Sequence, residues 1–187
     1  MRQELIKDDR VVQEVKKAIG ETLNIDAVSI SADHSLIKDL GAESLDFLDI
    51  NYRLEQAFGI KMARHFILEH IEEMFGEGAA IDPNGQLTEK AVKIMKLRLG
   101  ENSAALEPGM DMDQVPAMIT VATMARGVMD ILDSLPVKCA NCGASSWKSE
   151  DGTHVVCSAC SEEAPYMDGD DLIREWLTSA QESHGIF

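Results

Sequence analysis

Apolar side chains recur at helical spacing along most of the chain, and this pattern predicts a mainly α-helical protein. The predicted helices cover a first segment that closes near Asn24, followed by 44–58, 64–75, 88–99, 114–135 and 170–181. Gly59 is expected to cap the C-terminus of the helix over 44–58, and Thr88 to cap the start of the helix over 88–99. Between the first two helices, a loop over 25–39 is expected to attach to the core through Val28, Ile30 and Leu36. A second stretch without helical periodicity, 101–109, is interpreted as a linker.

The second helix carries two apolar stripes on different faces. The stripe predicted to point into the core consists of Phe47, Ile50, Leu54 and Phe58. The other stripe consists of Leu45, Leu48 and Tyr52, and it is flanked by Asp46, Asp49 and Glu55. One interpretation makes this second stripe additional core. The flanking acids and the serine at the helix start favour the other interpretation, a docking surface for a protein partner.

The composition limits the partners of the chain. Its 187 residues carry 17 basic and 33 acidic side chains, which gives a formal net charge of -16. This charge disfavours nucleic acid and anionic membranes as partners and favours basic protein surfaces. No stretch reaches the roughly 20 apolar residues of a membrane span, and the charged start does not resemble a signal peptide. We therefore expect a cytoplasmic protein without membrane insertion.

One serine occupies a distinctive position at the start of the second helix. Ser44 lies three residues after Gly41. A glycine lets the chain turn sharply, so that the residues after it leave from an exposed corner. A helix N-terminus offers free amide groups and a positive dipole end, which accommodate a phosphodiester. No base is placed to activate Ser44, so we interpret its hydroxyl as one that another enzyme modifies. The alternative is a serine that only caps the helix.

Residues 1–76 resemble an acyl carrier protein, a small acidic helical bundle whose attachment serine heads the second helix. The resemblance is closest to the specialised carriers that deliver very long acyl chains to lipid A. Two stretches carry it: Leu40-Gly41-Ala42-Glu43-Ser44-Leu45-Asp46-Phe47-Leu48-Asp49-Ile50 and Phe58-Gly59-Ile60-Lys61. The usual Asp-Ser-Leu triplet of the family is Glu43-Ser44-Leu45 here, which keeps the charge but adds one methylene.

The resemblance implies that a phosphopantetheinyl transferase attaches 4′-phosphopantetheine to Ser44, and that the thiol of this arm carries an acyl group as a thioester. The protein would then be a phosphoprotein carrier of fatty acid and lipid biosynthesis, not an enzyme, and we expect a monomer. Its clients would be acyltransferases or ketosynthases with basic docking surfaces. The residues expected to meet these partners are Glu43, Leu45, Asp46, Leu48, Asp49, Tyr52 and Glu55.

Four cysteines form two CxxC pairs near the C-terminus. Cys139, Cys142, Cys157 and Cys160 have the spacing of a tetrahedral Zn²⁺ site, with Fe(II) as the alternative metal and free or disulfide-bonded thiols as the alternative chemistry. The segment between the pairs contains an Asp-Gly turn and predicts a small hairpin, so the module resembles a zinc ribbon. Because all four ligands come from the protein, the metal is expected to be structural. His154 is a further ligand candidate but is interpreted as a solvated hairpin histidine, and His65 and His70 are interpreted as surface or partly packed residues.

These elements predict an acyl-carrier-type bundle over 1–79, connecting helices over 80–135, and a β zinc ribbon with a C-terminal helix over 136–187. The connecting helices are interpreted either as ordinary helix packing between the modules or as part of a C-terminal half that shields the acyl chain or docks a client. In the second case, removal of 101–187 should impair transfer of a long acyl chain and leave the modification of Ser44 intact. Two alternatives to an acyl carrier of lipid synthesis remain open. One is an unmodified, carrier-like adaptor that only binds proteins, and the other is a carrier for polyketide or secondary metabolite synthesis. A redox enzyme that uses the cysteines is a third class.

Overall fold

The computed structural model of the protein describes residues 3–100 and 105–187. It confirms a mainly α-helical fold with a small two-stranded sheet. The helices are α1 (Asp8–Leu23), α2 (Ser44–Phe58), α3 (Ile67–Phe75), α4 (Glu89–Leu99), α5 (Val121–Leu132) and α6 (Gly169–His184), and the strands are β1 (Trp147–Lys148) and β2 (Val156–Cys157). The described residues form two compact units. The first unit contains residues up to Met62 together with 119–169, and the second contains 63–118 and 170–187.

Helix α1 packs against both α2 and α5 in the first unit. The side chains that α1 buries completely are Val11, Val15 and Ile19, which share one face because they lie four residues apart. Asn24 ends the helix in the left-handed conformation, a common helix terminus. The start and end of α2 match the prediction, and Gly59 ends it with a φ of 66°. Its inward face is confirmed for Ile50, Leu54 and Phe58, whereas Phe47 is half-buried.

The loop between α1 and α2 attaches to the core through two of the three side chains predicted to do so. Ile30 and Leu36 are buried, but Val28 is 90% exposed, so its predicted core position is wrong. Val28 lies in a short 3-10 turn over Ala27–Ser29, where its amide donates to the Asp26 side chain. The turn directs its side chain away from the core in spite of its apolar character.

Helix α5 is shorter than the predicted helix over 114–135. The N-terminal part of that segment forms two 3-10 turns, Met112–Gln114 and Pro116–Met118. Pro116 accounts for part of the difference, because proline has no amide hydrogen with which to bond the preceding turn, although Val115 before it keeps a helical conformation. The helix then begins after Thr120, whose side chain accepts a hydrogen bond from the Thr123 amide.

The second unit has its own apolar core, to which α3, α4 and α6 contribute. Thr88 caps α4 as predicted, because its side chain accepts a hydrogen bond from the Ala91 amide at 3.1 Å. The linker predicted over 101–109 is only partly described, since 101–104 lie outside the described residues. Leu106 is fully buried in this core, so that part of the segment is not an exposed linker. The predicted division into 1–79, 80–135 and 136–187 stays a prediction about independently folding pieces.

The two strands form a minimal antiparallel hairpin in the first unit. Trp147 pairs with Cys157, and Lys148 pairs with Val156. The Trp147 indole nitrogen donates to the Pro136 carbonyl at 2.8 Å, which fixes the hairpin to the segment that follows α5. This hairpin therefore carries one cysteine directly, while the others lie in the turns beside it.

Candidate functional sites

Ser44 is the first residue of α2, and its side chain is exposed. The chain reaches Ser44 through a sharp turn, in which Gly41 adopts a φ of 74° that residues other than glycine rarely adopt. Ala42, two residues before the serine, is 4% exposed, and its amide donates to the Leu36 carbonyl at 2.8 Å. The backbone is thus anchored immediately before the serine, and the serine itself faces solvent.

The hydroxyl of Ser44 does not cap its helix. The N-cap residue of α2 is Glu43, whose amide donates to the Asp46 carboxylate at 2.7 Å. Within residues 3–100 and 105–187, the Ser44 hydroxyl makes no hydrogen bond. The alternative interpretation of Ser44 as a plain N-cap is therefore wrong. A phosphodiester at this position fits the site, since the hydroxyl is accessible and needs to break no internal bond.

The outer face of α2 exposes the apolar stripe that was expected there. Leu45 is 78% exposed, Leu48 is 53% exposed and Tyr52 is 57% exposed, values high for large apolar side chains. A stripe this exposed contributes little to the core. The structure therefore excludes the interpretation of this stripe as additional core.

The acids beside this stripe are held by local hydrogen bonds. Asp49 accepts from Arg53 at 2.9 Å and from the Thr22 hydroxyl at 2.7 Å, and both bonds hold the pKa of its carboxyl below the ordinary value. Glu55 accepts a bond from the Met62 amide at 3.0 Å. Asp46 is held by the Glu43 amide as described above. These bonds fix the carboxylates along α2 while leaving Asp49 44% exposed.

The four cysteines converge into one cluster. The sulfur atoms of Cys139 and Cys160 are 3.7 Å apart, those of Cys142 and Cys157 are 3.6 Å apart, and all four lie within 4.8 Å of one another. A disulfide needs a sulfur separation of about 2.0 Å, so these pairs are not disulfides. Zn–S bonds of about 2.3 Å in a tetrahedron place sulfur atoms about 3.8 Å apart. The cluster therefore fits a four-coordinate metal ion.

The two CxxC turns repeat the same backbone pattern. The Gly143 amide donates to the Cys139 carbonyl at 2.8 Å, and the Ser161 amide donates to the Cys157 carbonyl at 2.9 Å. Gly143 has a φ of 74° and Ser161 a φ of 60°, so both occupy the left-handed region. The sequence indicates this conformation only for the glycine. Ser161 is a functional-site residue that sequence reasoning missed, and its spacing from Cys157 is the only signal for it.

Backbone amides and neighbouring thiols shift the pKa values of Cys157 and Cys142 in opposite directions. The amides of Ala159 and Cys160 lower the pKa of the Cys157 thiol to about 7. For Cys142, the amide of Ala144 lowers the pKa, but the neighbouring thiols of Cys160 and Cys157 outweigh it and raise the pKa to about 12. Amides that point at sulfur favour the thiolate, which is the form that binds metal.

His154 and His70 each lie beside a carboxylate. His154 is 46% exposed on its side chain, and its Nδ1 lies 3.0 Å from the Asp151 carboxylate, in agreement with a hairpin histidine. His70 is 1% exposed, so the prediction that it is a surface or partly packed residue is wrong. Its Nε2 lies 2.9 Å from Asp170, a carboxylate that also accepts from the amides of Arg64 and His65. Asp170 thereby compensates the burial of His70, a partner that lies too far along the chain for spacing to reveal.

Among the described residues, no helix has the length and apolar character needed to cross a bilayer.

Comparisons with known proteins identify the class of the first site. Residues 13–73 match the family model described as a phosphopantetheine attachment site. The acyl carrier protein of Clostridium acetobutylicum is 44% identical over 52 residues, which are 28% of this chain and 68% of that protein. The chain therefore belongs to the acyl carrier protein family, and the predicted family resemblance is confirmed.

Other relatives share shorter parts of their length. The acyl carrier protein of Helicobacter pylori is 38% identical over 50 residues, which are 27% of this chain and 64% of that protein. The acyl carrier protein AcpXL of Brucella melitensis is 48% identical over 48 residues, 26% of this chain and 52% of that protein. The chain thus spans less than two thirds of the length of the Helicobacter relatives it matches. No solved structure matches the chain.

Proposed function

We propose that the protein is an acyl carrier whose Ser44 holds a 4′-phosphopantetheine arm. The observation that carries this proposal is the position of Ser44 inside the matched attachment domain, exposed at the first residue of α2. The arm, when attached, supplies a thiol that can hold an acyl group as a thioester. The chain itself presents the hydroxyl: Gly41 turns the backbone, and the buried Ala42 anchors it.

The outer face of α2 is proposed as the surface that partners recognise. Its exposed stripe of Leu45, Leu48 and Tyr52 offers apolar contact, and the neighbouring acids attract basic surfaces. These partners would be a phosphopantetheinyl transferase, which modifies Ser44, and acyltransferases or ketosynthases that load or unload the arm. The local bonds of Asp49 and Glu55 orient their carboxylates, so less side-chain entropy is lost on docking.

The cysteine cluster is proposed to hold a structural zinc ion. Cys139, Cys142, Cys157 and Cys160 would be its ligands, and all four positions of a tetrahedron would then come from the protein. Such a site leaves no position for water or substrate, so it supports folding rather than catalysis. Reducing conditions of the cytoplasm, where we place the protein, keep such thiols available for metal.

Intact-mass spectrometry tests the proposed carrier function. Coexpression with a phosphopantetheinyl transferase is expected to add about 340 Da, the mass of the arm. Ser44→Ala should abolish this gain, and the control Ser29→Ala, which removes another exposed serine of the same unit, should retain it. A wild-type chain that stays unmodified with an active transferase would contradict the proposal and favour the unmodified protein-binding adaptor.

The cargo defines the pathway. Protein purified from its native cells should carry an acyl group whose mass identifies the chain. The similarity to the Brucella protein AcpXL and the sequence resemblance to specialised carriers support a long acyl chain of lipid synthesis. A polyketide or another secondary metabolite on the arm would instead place the carrier in that chemistry.

A further inference from the structure

The compact unit that contains Ser44 does not coincide with the matched family segment. The family match is continuous over residues 13–73. The unit, however, stops at Met62 and resumes at Ile119. The last part of the match lies in the second unit, whereas α5, which lies outside the family match, lies in the same unit as Ser44. The carrier bundle is therefore built from two separate stretches of the chain.

Backbone hydrogen bonds join the two stretches close to the serine. The Leu36 amide donates to the Ile119 carbonyl at 3.0 Å, and Ser35 forms an antiparallel bridge with Thr120. The amides of Val121 and Ala122 donate to the carbonyls of His34 and Ala32, at 3.1 and 2.8 Å. These bonds hold the loop that leads to Ser44, and Leu36 is the residue to which Ala42 is anchored.

The apolar face of α5 is buried inside this unit. Its fully buried side chains are Val121, Val128 and Leu132, and Ala125 and Ile131 are nearly so. Helix α1 packs against α5 as well as against α2. Removing α5 would expose the side of α1 that packs against it. Helices α1 and α2 alone therefore cannot form the closed core seen here.

We propose that α5 and the preceding residues 119–120 are part of the carrier domain and position the loop before Ser44, and that the segment over 63–118 interrupts this domain in sequence, although the family match extends to residue 73. The alternative is that α5 belongs to the cysteine module and stabilises only that module. The effect of α5 on the modification of Ser44 rests on the proposed function, whereas the assignment of α5 to the carrier domain does not. The expectation that removal of 101–187 spares Ser44 modification is replaced by the opposite one, because α5 lies in that segment.

Hydrogen exchange on the full-length, zinc-loaded protein tests the architecture. Leu132→Ala removes a fully buried leucine from α5, and the matched control Leu177→Ala removes a fully buried leucine from α6 in the second unit. Leu132→Ala should speed the exchange of amides in α1, α2 and the loop over 31–42 by about tenfold or more. Leu177→Ala should speed exchange in α3 and α4 and leave α1 and α2 within about twofold.

Val128→Ala serves as a milder second variant if Leu132→Ala does not fold, and about threefold faster exchange in α1 and α2 is expected for it. Unchanged exchange in α1 and α2 for both α5 variants would overturn the proposal. So would a Leu177→Ala chain that loosens α1 and α2 as much as Leu132→Ala does.

The transferase reaction gives a second readout that separates this proposal from the proposed function. Leu132→Ala should slow arm attachment to Ser44 several-fold, whereas Leu177→Ala should not. A wild-type chain that accepts no arm would refute the carrier function and leave the exchange result to decide the architecture. A modified wild type with equal attachment rates in both variants would refute the positioning role alone.

Discussion

The serine at the start of α2 and the four-cysteine cluster both lie in the first unit, but the fold treats them in opposite ways. Ser44 is exposed, and the described residues offer its hydroxyl no hydrogen bond. The cysteines face one another at 3.6 and 3.7 Å, and Cys139 and Cys157 are buried. A group that will be modified by another protein must be left free, while a metal-binding group must be directed at its neighbours.

This difference separates two kinds of structural support. At Ser44 the protein fixes the backbone, through Gly41 and Ala42, and leaves the side chain free. At the cysteines it fixes the side chains through two matching backbone turns. Substitutions at the two sites should therefore differ in their effect on the free energy of unfolding, since of the two only the proposed metal site would support folding.

The largest effect is expected when the cysteine site is broken. Cys157→Ala, or treatment with a strong chelator, should reduce the metal content from about one ion per chain to none, because structural zinc needs its full ligand set. Metal analysis and the fluorescence of Trp147, which lies in β1 opposite Cys157, would follow the loss. Ser44→Ala is the control and should change neither signal. A Cys157→Ala chain that retains its metal would contradict the proposal that the four cysteines hold the ion.

The two faces of α2 provide the next test. Ile50 is fully buried, so Ile50→Ala should lower the free energy of unfolding by about 2–4 kcal/mol. Leu48 is 53% exposed, so Leu48→Ala should cost less than about 0.5 kcal/mol and should instead weaken partner binding. Denaturation and transferase kinetics measure the two effects. If Leu48→Ala destabilises the chain as much as Ile50→Ala, then the exposed stripe is not a docking surface.

The residues in the left-handed conformation of the two cysteine turns, Gly143 and Ser161, can each be replaced by the residue type found in the other turn. Gly143→Ser should lower the free energy of unfolding of the metal-loaded ribbon by about 1 kcal/mol, because serine in the left-handed region is strained. The added side chain meets no atom within 4 Å, so the cost is conformational and not steric. Ser161→Gly should have the opposite sign and a magnitude of up to about 1 kcal/mol. Chelator competition measures both changes. If Gly143→Ser and Ser161→Gly changed the stability of the metal-loaded ribbon in the same direction, the two turns would not be equivalent.

The smallest effect concerns charge at the serine site. Asp46→Asn keeps an oxygen that can accept from the Glu43 amide but removes a charge, and it should slow the encounter with the transferase by about two- to fivefold at low salt. The difference should disappear above about 0.5 M salt because of screening. Asp171→Asn, in the first turn of α6, is the matched control and should leave the rate unchanged. A rate loss that persists at high salt would point to altered helix structure.

Local signals in the sequence predicted much of this fold. The bounds of α2, its capping glycine and the Thr88 cap of α4 are properties of a few neighbouring residues, and the structure agrees with them. The cysteine spacing likewise predicted the cluster. Such predictions succeed because the interactions that decide them span one or two helical turns.

The failures all involve distant partners or local breaks. Val28 is apolar but faces solvent, because a turn directs it outward. His70 is buried because Asp170, a hundred residues away, accepts its bond. The segment over 114–120 is not α-helical but forms 3-10 structure around Pro116, which cannot donate the amide bond of an α-helix. Helical periodicity predicted α5 as a helix but not its partner α1, since spacing contains no information about which apolar faces meet.

The bonds between residues 32–36 and 119–122 have a consequence for synthesis. A nascent chain adds residues in order, at roughly 5–20 per second, and domains fold as their parts emerge. Three of the amide or carbonyl groups that hold the loop before Ser44 find their partners only after residue 122 has left the ribosome. Ser44 is translated before residues 119–122, so a transferase that recognises the finished loop acts only after these residues have emerged.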